Sequence, residues 1–171
     1  MASTASPIPV GTQFGQVAWV VPDIVAAERF FRETLGVPGF AKLENLRARD
    51  TEGTYDGQPA DFVFHLYMAY SNGILLELIQ PVSGRSLYEE FLARNPGGGV
   101  QHVAFMVSDT QFDGLVRQFE SRGYPVVQGM VLPVAKVAYF DTRRDIGVAT
   151  ELIGATEAGM GWVEQLKNGV Y

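Results

Sequence analysis

Two stretches of this 171-residue chain carry the same alternation of bulky and small side chains. Residues 16–23 read QVAWVVPD and residues 102–109 read HVAFMVSD. Strand side chains point alternately to opposite faces. Val17, Trp19 and Val21 therefore share one face, and Gln16, Ala18 and Val20 share the other. In the second stretch Val103, Phe105 and Val107 oppose His102, Ala104 and Met106. The bulky faces suit packing under helices, with Trp19 and Phe105 as core residues. The opposite faces carry small side chains and one polar group each, which leaves room beside Gln16 and His102.

Each strand leads into a helical pattern, Asp23 to Thr34 and Asp109 to Arg122. Asp23 and Asp109 are candidate N-caps, because a short side-chain oxygen can accept from the first free N–H groups. Gly36 and Gly123 follow as candidate left-handed terminators, and a proline comes two residues after each. A second motif recurs as well: residues 73–79 read GILLELI and residues 147–153 read GVATELI. Further strands are expected at Phe40 to Leu46, Phe62 to Tyr70, Val126 to Met130 and Lys136 to Phe140. Ser86 to Arg94 predicts a connecting helix, Gly97 to Gly99 a hinge, and Ala158 to Asn168 a closing helix. Met1 to Val10 is expected to be a loose tail. Two motifs recurring in the same order indicate an internal duplication. It divides the chain into a tail (1–13), a first unit (14–80), a connecting helix and glycine linker (81–99), a second unit (100–154) and a C-terminal segment with a short helix (155–171).

Composition narrows the function classes. Thirteen basic against nineteen acidic residues give a net charge of −6. This argues against a nucleic-acid surface, which needs a dense basic stripe. The absence of cysteine removes disulfides, thiolate metal ligands and a cysteine nucleophile. The first basic side chain is Arg29, so no charged leader precedes an apolar stretch. No apolar run approaches the ~20 residues of a membrane helix. A cytoplasmic protein with no membrane partner is expected.

Glu77 and Glu151 stand in the middle of apolar strands. A buried, unpaired carboxylate costs several kcal/mol, so a metal ion or a basic residue must hold each one. No basic residue neighbours them in the strands of the first motif. Gln16 and Glu77 from the first unit, with His102 and Glu151 from the second, occupy equivalent repeat positions. If the units pack about a pseudo-twofold axis, one nitrogen and three oxygens can converge on a borderline to hard divalent ion, with zinc, nickel, cobalt, manganese and magnesium all admissible.

The succession QVAWVVPDIVAAERFFRETLG, ILLELIQP, GGGVQHVAFMVSD and VATELIG, from Phe14 to Gly154, resembles the vicinal oxygen chelate (glyoxalase/bleomycin resistance/dioxygenase) superfamily. The resemblance implies an α+β fold in which two tandem βαβββ modules form an open, cup-shaped mixed sheet around one divalent metal ion (zinc, nickel, cobalt or manganese). The family's ligand positions fall on Gln16, Glu77, His102 and Glu151. The segment from Glu77 to Phe105 looks like methylmalonyl-CoA epimerase, whereas the Gln/Glu/His/Glu set is similar to glyoxalase I. Both imply a lyase or isomerase that moves a proton next to a metal-bound carbonyl, with Glu151 as the first choice of catalytic base and Glu77 as its symmetric partner.

The epimerases carry a further glutamate in the first module. Here that region is an expanded acidic loop, Arg49 to Asp61, and Glu44, Glu52 and Asp61 are the candidates. His65 is either satisfied within the sheet or a substrate contact in the cup. Lys136, Arg143 and Arg144 near the rim either meet the anionic groups of a CoA ester or glutathione or stay solvated. Arg47 and Arg49 are expected in solvent. A ring-cleaving dioxygenase, which wants two histidines and one carboxylate, and a non-catalytic small-molecule binding protein of the same fold are the other readings. The partner is a small-molecule substrate, and a homodimer is expected.

Overall fold

The computed structural model describes residues 6–171. Ten strands among these residues form one curled sheet, built from two copies of one pattern. In the first copy, β1 (Phe14–Val20) leads into helix α1 (Ile24–Glu33), followed by β2 (Ala41–Arg47), a short hairpin of β3 (Thr54–Tyr55) and β4 (Gln58–Pro59), β5 (Val63–Ser71) and β6 (Ile74–Ser83). Helix α2 (Leu87–Arg94) connects to the second copy. That copy consists of β7 (Gly99–Ser108), α3 (Asp109–Ser121), β8 (Val126–Val131), β9 (Ala135–Phe140), the single turn α4 (Arg143–Ile146) and β10 (Ala149–Ala155). Helix α5 (Glu157–Lys167) ends the chain.

The two copies meet at the centre, where β1 and β7 pair antiparallel. β6 lies parallel to β1, and β10 lies parallel to β7. Ala18 sits beside both His102 and Glu77, and Ala104 sits beside both Gln16 and Glu151. These registers are exchanged by the pseudo-twofold axis. The alternation read from the sequence sorts the layers. Trp19 and Val21 pack with Ile24 and Phe31 of the α1 region on the convex side, and Phe105 and Val107 pack with Phe112 and Leu115 of α3. Val20, Ala104, Phe64, Val137 and Ile153 face the concave side, where Leu87, Tyr88 and Phe91 of α2 fill one part of the cup.

Three local expectations change. Asp23 does cap α1, its Oδ1 accepting from Ala26 N at 2.9 Å. Asp109 does not cap α3: Ser108 holds the cap position and Asp109 begins the helix, where its charge favours the positive end of the helix dipole. The acidic loop is partly ordered as the β3–β4 hairpin, which pairs with β8 of the second copy. Asp56 and Gly57 both take positive φ, 50° and 71°, as a tight two-residue hairpin turn requires. Of the expected tail, residues 1–5 lie outside the described residues. Ile8 and Val10 pack with Phe112, Leu115 and Phe119 of α3 rather than hanging loose. Among the described residues, no helix is long and apolar enough to cross a membrane.

Candidate metal centre

Gln16, Glu77, His102 and Glu151 come from the four central strands and meet on the concave face. Gln16 and His102 are fully buried. Small Ala18 and Ala104 at their strand neighbours leave space for the longer side chains to reach one another. Gln16 Nε2 donates to Glu77 Oε2 at 3.2 Å and to Glu151 Oε2 at 3.1 Å, and it lies 3.4 Å from His102 Nε2. His102 Nε2 is 3.2 Å from each of the same two carboxylate oxygens. One donor atom from each of Glu77, His102 and Glu151 lies within 4.8 Å of the other two, which is close enough to hold one ion.

Two buried carboxylates here face each other with one imidazole and no lysine or arginine partner among the described residues. Burial pushes the Glu77 carboxyl up, against the pull of His102. Burial pushes the His102 imidazole down, but the carboxylates of Glu151 and Glu77 outweigh it and hold its pKa at about 9. A dication relieves this crowding of negative charge more completely than a shared proton. Gln16 fits such an ion too. Its Oε1 is buried without a hydrogen-bond partner among the described residues, while its Nε2 points at the two acids. The two ends of an amide are nearly the same size, so turning the amide over delivers the unpartnered oxygen to the centre. The resulting set of one imidazole nitrogen and three oxygens suits zinc and its first-row neighbours.

One supporting residue escaped the sequence reading. His102 Nδ1 lies 2.6 Å from Gln101 Oε1, so Nδ1–H donates there and Nε2 is the ring nitrogen turned toward the two glutamates. Simple alternation puts Gln101 on the far face. A register shift between Ala18 and Trp19 opposite β7 marks a bulge at this point, and the bulge turns Gln101 back. Tyr139 stands edge-on to His102 with ring centroids 5.1 Å apart, and its hydroxyl is 2.8 Å from that of Tyr88. Burial, with the nearby glutamates, pushes both phenols up, so both remain protonated.

A cavity of about 320 Å³ opens from this centre, lined by Gln16, Glu77, Glu151, Tyr88 and Tyr139 among many apolar side chains. The other proposed substrate contacts are not brought to it. Phe64, Leu66 and Met68 line the cavity, so His65 points the other way, and its Nδ1 accepts from Asn45 N at 3.1 Å. Ala135 and Val137 line it, so Lys136 between them faces outward, 3.3 Å from Asp113 and 5.9 Å from the Phe112 ring. Arg143 grips Asp141 with two hydrogen bonds of 2.7 Å outside the cup. Glu44 accepts from the Tyr67 hydroxyl at 2.9 Å, Asp61 pairs with Arg49 at 3.8 Å, and Glu52 ends a surface turn; none of the three lines the cavity.

A curled sheet of paired modules with a central Glu-His-Glu cluster defines a class, and residues 15–140 match the family described as the Glyoxalase/Bleomycin resistance protein/Dioxygenase superfamily. The chain belongs to that superfamily. Among curated relatives, it is 33% identical over 101 residues to a 4-hydroxyphenylpyruvate dioxygenase of Hordeum vulgare, covering 57% of this chain and 22% of that protein. It is 29% identical over 97 residues to an ethylmalonyl-CoA/methylmalonyl-CoA epimerase of Cereibacter sphaeroides, covering 57% of this chain and 62% of that protein. The matches therefore span less than two thirds of either relative. Among solved structures, methylmalonyl-CoA epimerase from Mycobacterium tuberculosis superposes with a TM-score of 0.59 at 20% identity, over 94% of this chain and 97% of that one. A Streptomyces coelicolor methylmalonyl-CoA epimerase in complex with 2-nitronate-propionyl-CoA gives 0.52 at 20% identity, over 83% of this chain and 93% of that one. At such identities these likenesses establish the fold.

Proposed function

We propose that this chain is a divalent-metal-dependent isomerase or lyase that moves a proton at the carbon next to a carbonyl, in the manner of a methylmalonyl-CoA epimerase. The observation that carries this reading is the convergence of two buried glutamates on one histidine, with no lysine or arginine among the described residues beside them. Gln16 through Oε1, His102 through Nε2, and Glu77 and Glu151 through one oxygen each are the residues that would hold the ion. Bound there, a divalent cation supplies Lewis-acid polarisation of a substrate carbonyl.

The chain's own groups handle the proton. Glu77 stands on β6 and Glu151 on β10, on opposite sides of the central β1–β7 pair. One carboxylate can therefore take a proton from one face of a carbon while the other returns it to the opposite face. That is epimerisation. The same pair shuttling between adjacent carbons gives the lactoylglutathione lyase reaction, the second member of this reading. Glu151 is assigned the first proton transfer and Glu77 the return. In the metal-free centre, burial raises the proton affinity of Glu77. Tyr88 and Tyr139 share one hydrogen bond between two hydroxyls, which leaves one phenolic proton to offer an oxygen in the cavity.

Likeness to a dioxygenase favours an oxygenase as the alternative. Against it, the cluster holds one histidine, and non-haem iron oxygenation uses two histidines and one carboxylate. Solvent exchange separates them. Zinc-loaded protein is incubated in D2O with a panel of acyl-CoA esters, glutathione hemithioacetals and simple ketones, and deuterium is read by NMR at the carbon beside the carbonyl. Exchange that falls at least about a hundredfold in Glu151→Gln is expected. Absence of exchange across the panel by metal-loaded protein, with oxygen uptake by the iron-loaded form, would contradict it.

A further inference from the structure

Behind the ring of polar side chains, the cavity wall is hydrocarbon. Polar side chains lining it are confined to Gln16, Glu77, Glu151, Tyr88 and Tyr139, apart from the indole N–H of Trp162. Four separate parts of the fold close the wall away from the centre. Leu43 and Leu46 come from β2, Leu66 from β5, Leu132 from the β8–β9 turn, and Trp162 and Val163 from α5. A bulge in β2 between Leu43 and Leu46 is what returns Leu46 to the cup. Helix α5 is pinned as a wall of the cup: Thr156 hydrogen-bonds the Val134 carbonyl through both its backbone N–H and its hydroxyl, and Gly159 lets the helix close against that carbonyl. No lysine or arginine among the described residues lines the cavity.

A carboxylate or phosphate placed against this wall has no partner, and its desolvation goes uncompensated. The volume of about 320 Å³, at about 30 Å³ per water-sized group, admits about ten non-hydrogen atoms. We infer that the substrate presents an uncharged, apolar body, an alkyl chain or a ring of about ten non-hydrogen atoms, behind its reacting carbonyl. This rests on the proton-transfer site proposed above and narrows it. Any charged part of the substrate lies at the metal end or outside the mouth.

Matched ligands test it. Hexanohydroxamic acid and adipic monohydroxamate share a chelating head and chain length and differ only in a terminal methyl or carboxylate. Calorimetry on zinc-loaded protein is expected to show at least a hundredfold preference for the methyl-ended ligand. Affinity is expected to rise about fourfold per methylene from acetohydroxamate until the cavity is full. The corresponding primary amides, which lack a chelating head, are titrated into metal-free protein by ligand-observed NMR. There the same preference and chain-length rise are expected at lower affinity. Equal affinity for both chain ends, or no dependence on length, in either series would overturn the inference. If the amides keep the preference but zinc adds nothing for the hydroxamates, the apolar body stands and the metal reading falls. Leu43 is 40% exposed at the rim, so Leu43→Arg can be tolerated by the fold. It is expected to raise affinity for adipic monohydroxamate at least tenfold, and an unchanged ratio would count against the inference.

Discussion

The two halves of the sheet place a glutamate at the same point, Glu77 and Glu151, yet differ at the positions around it. The centre holds a neutral amide, Gln16, in the first half and an imidazole, His102, in the second. Before each stands an unlike neighbour: Gly15 in the first half and Gln101 in the second, where it orients the imidazole. Three residues past the glutamates the difference turns structural. Gln80 Oε1 accepts from Ile24 N at the start of α1, 2.9 Å away. Its counterpart, Gly154, leaves room for Phe112 of α3, whose ring a Cβ there would meet at 2.8 Å. Duplication thus supplied a symmetric pair of acids, and divergence gave one half the imidazole and the side chain that orients it. A pseudo-symmetric site with unlike central groups can treat the two faces of a substrate carbon differently.

The largest effect comes from breaking the centre. His102→Gln makes the two halves alike and is expected to lower zinc affinity about a thousandfold, read by competition with a chromogenic chelator. Exchanging the pair, Gln16→His with His102→Gln, restores the ligand set on the opposite strand. The exchanged protein is expected to recover most of the affinity but stay about 10- to 100-fold below wild type, because Gly15 cannot orient the new imidazole as Gln101 does. Full recovery would show that the Gln101 contact carries no weight.

The helix contacts give a smaller contrast. Gly154→Ala is expected to cost about 1–3 kcal/mol in urea unfolding, since the Phe112 ring must move. Gln80→Ala removes only one acceptor at a helix start and is expected to cost about 1 kcal/mol. The reverse ranking would mean that α3 is less tightly seated than α1. Smallest of all, Lys136→Ala and Arg143→Ala are expected to leave zinc and hydroxamate affinities within about twofold, because both side chains are paired outside the cup and such exposed pairs contribute little.

Much of this was legible in the residues because a strand has a strict period of two. QVAWVVPD and HVAFMVSD sort their own faces, and the recurring Gly-x-x-x-Glu-Leu-Ile places both acids. The same rule applied to Lys136, between Ala135 and Val137, already turns it away from the cup. Bulges hid the rest. One at Asn45, with a positive φ of 55°, resets the phase of β2, and one beside Gln101 resets β7; neither leaves a pattern in a single sequence. The Asp56-Gly57 pair was a hairpin signal inside what reads as an acidic loop. Helix α5 shows its helicity in its residues, but its place over the cup depends on contacts with Val134 and β5.

The most direct test is anomalous diffraction from crystals of the cobalt- or zinc-loaded protein. The account predicts one ion on the pseudo-twofold axis, about 2.0–2.2 Å from His102 Nε2, an oxygen of Glu77 and an oxygen of Glu151, with the Gln16 amide turned so that Oε1 completes the set. An ion bound elsewhere, or a centre in which Gln16 Nε2 still bridges the two glutamates at saturating metal, would contradict it.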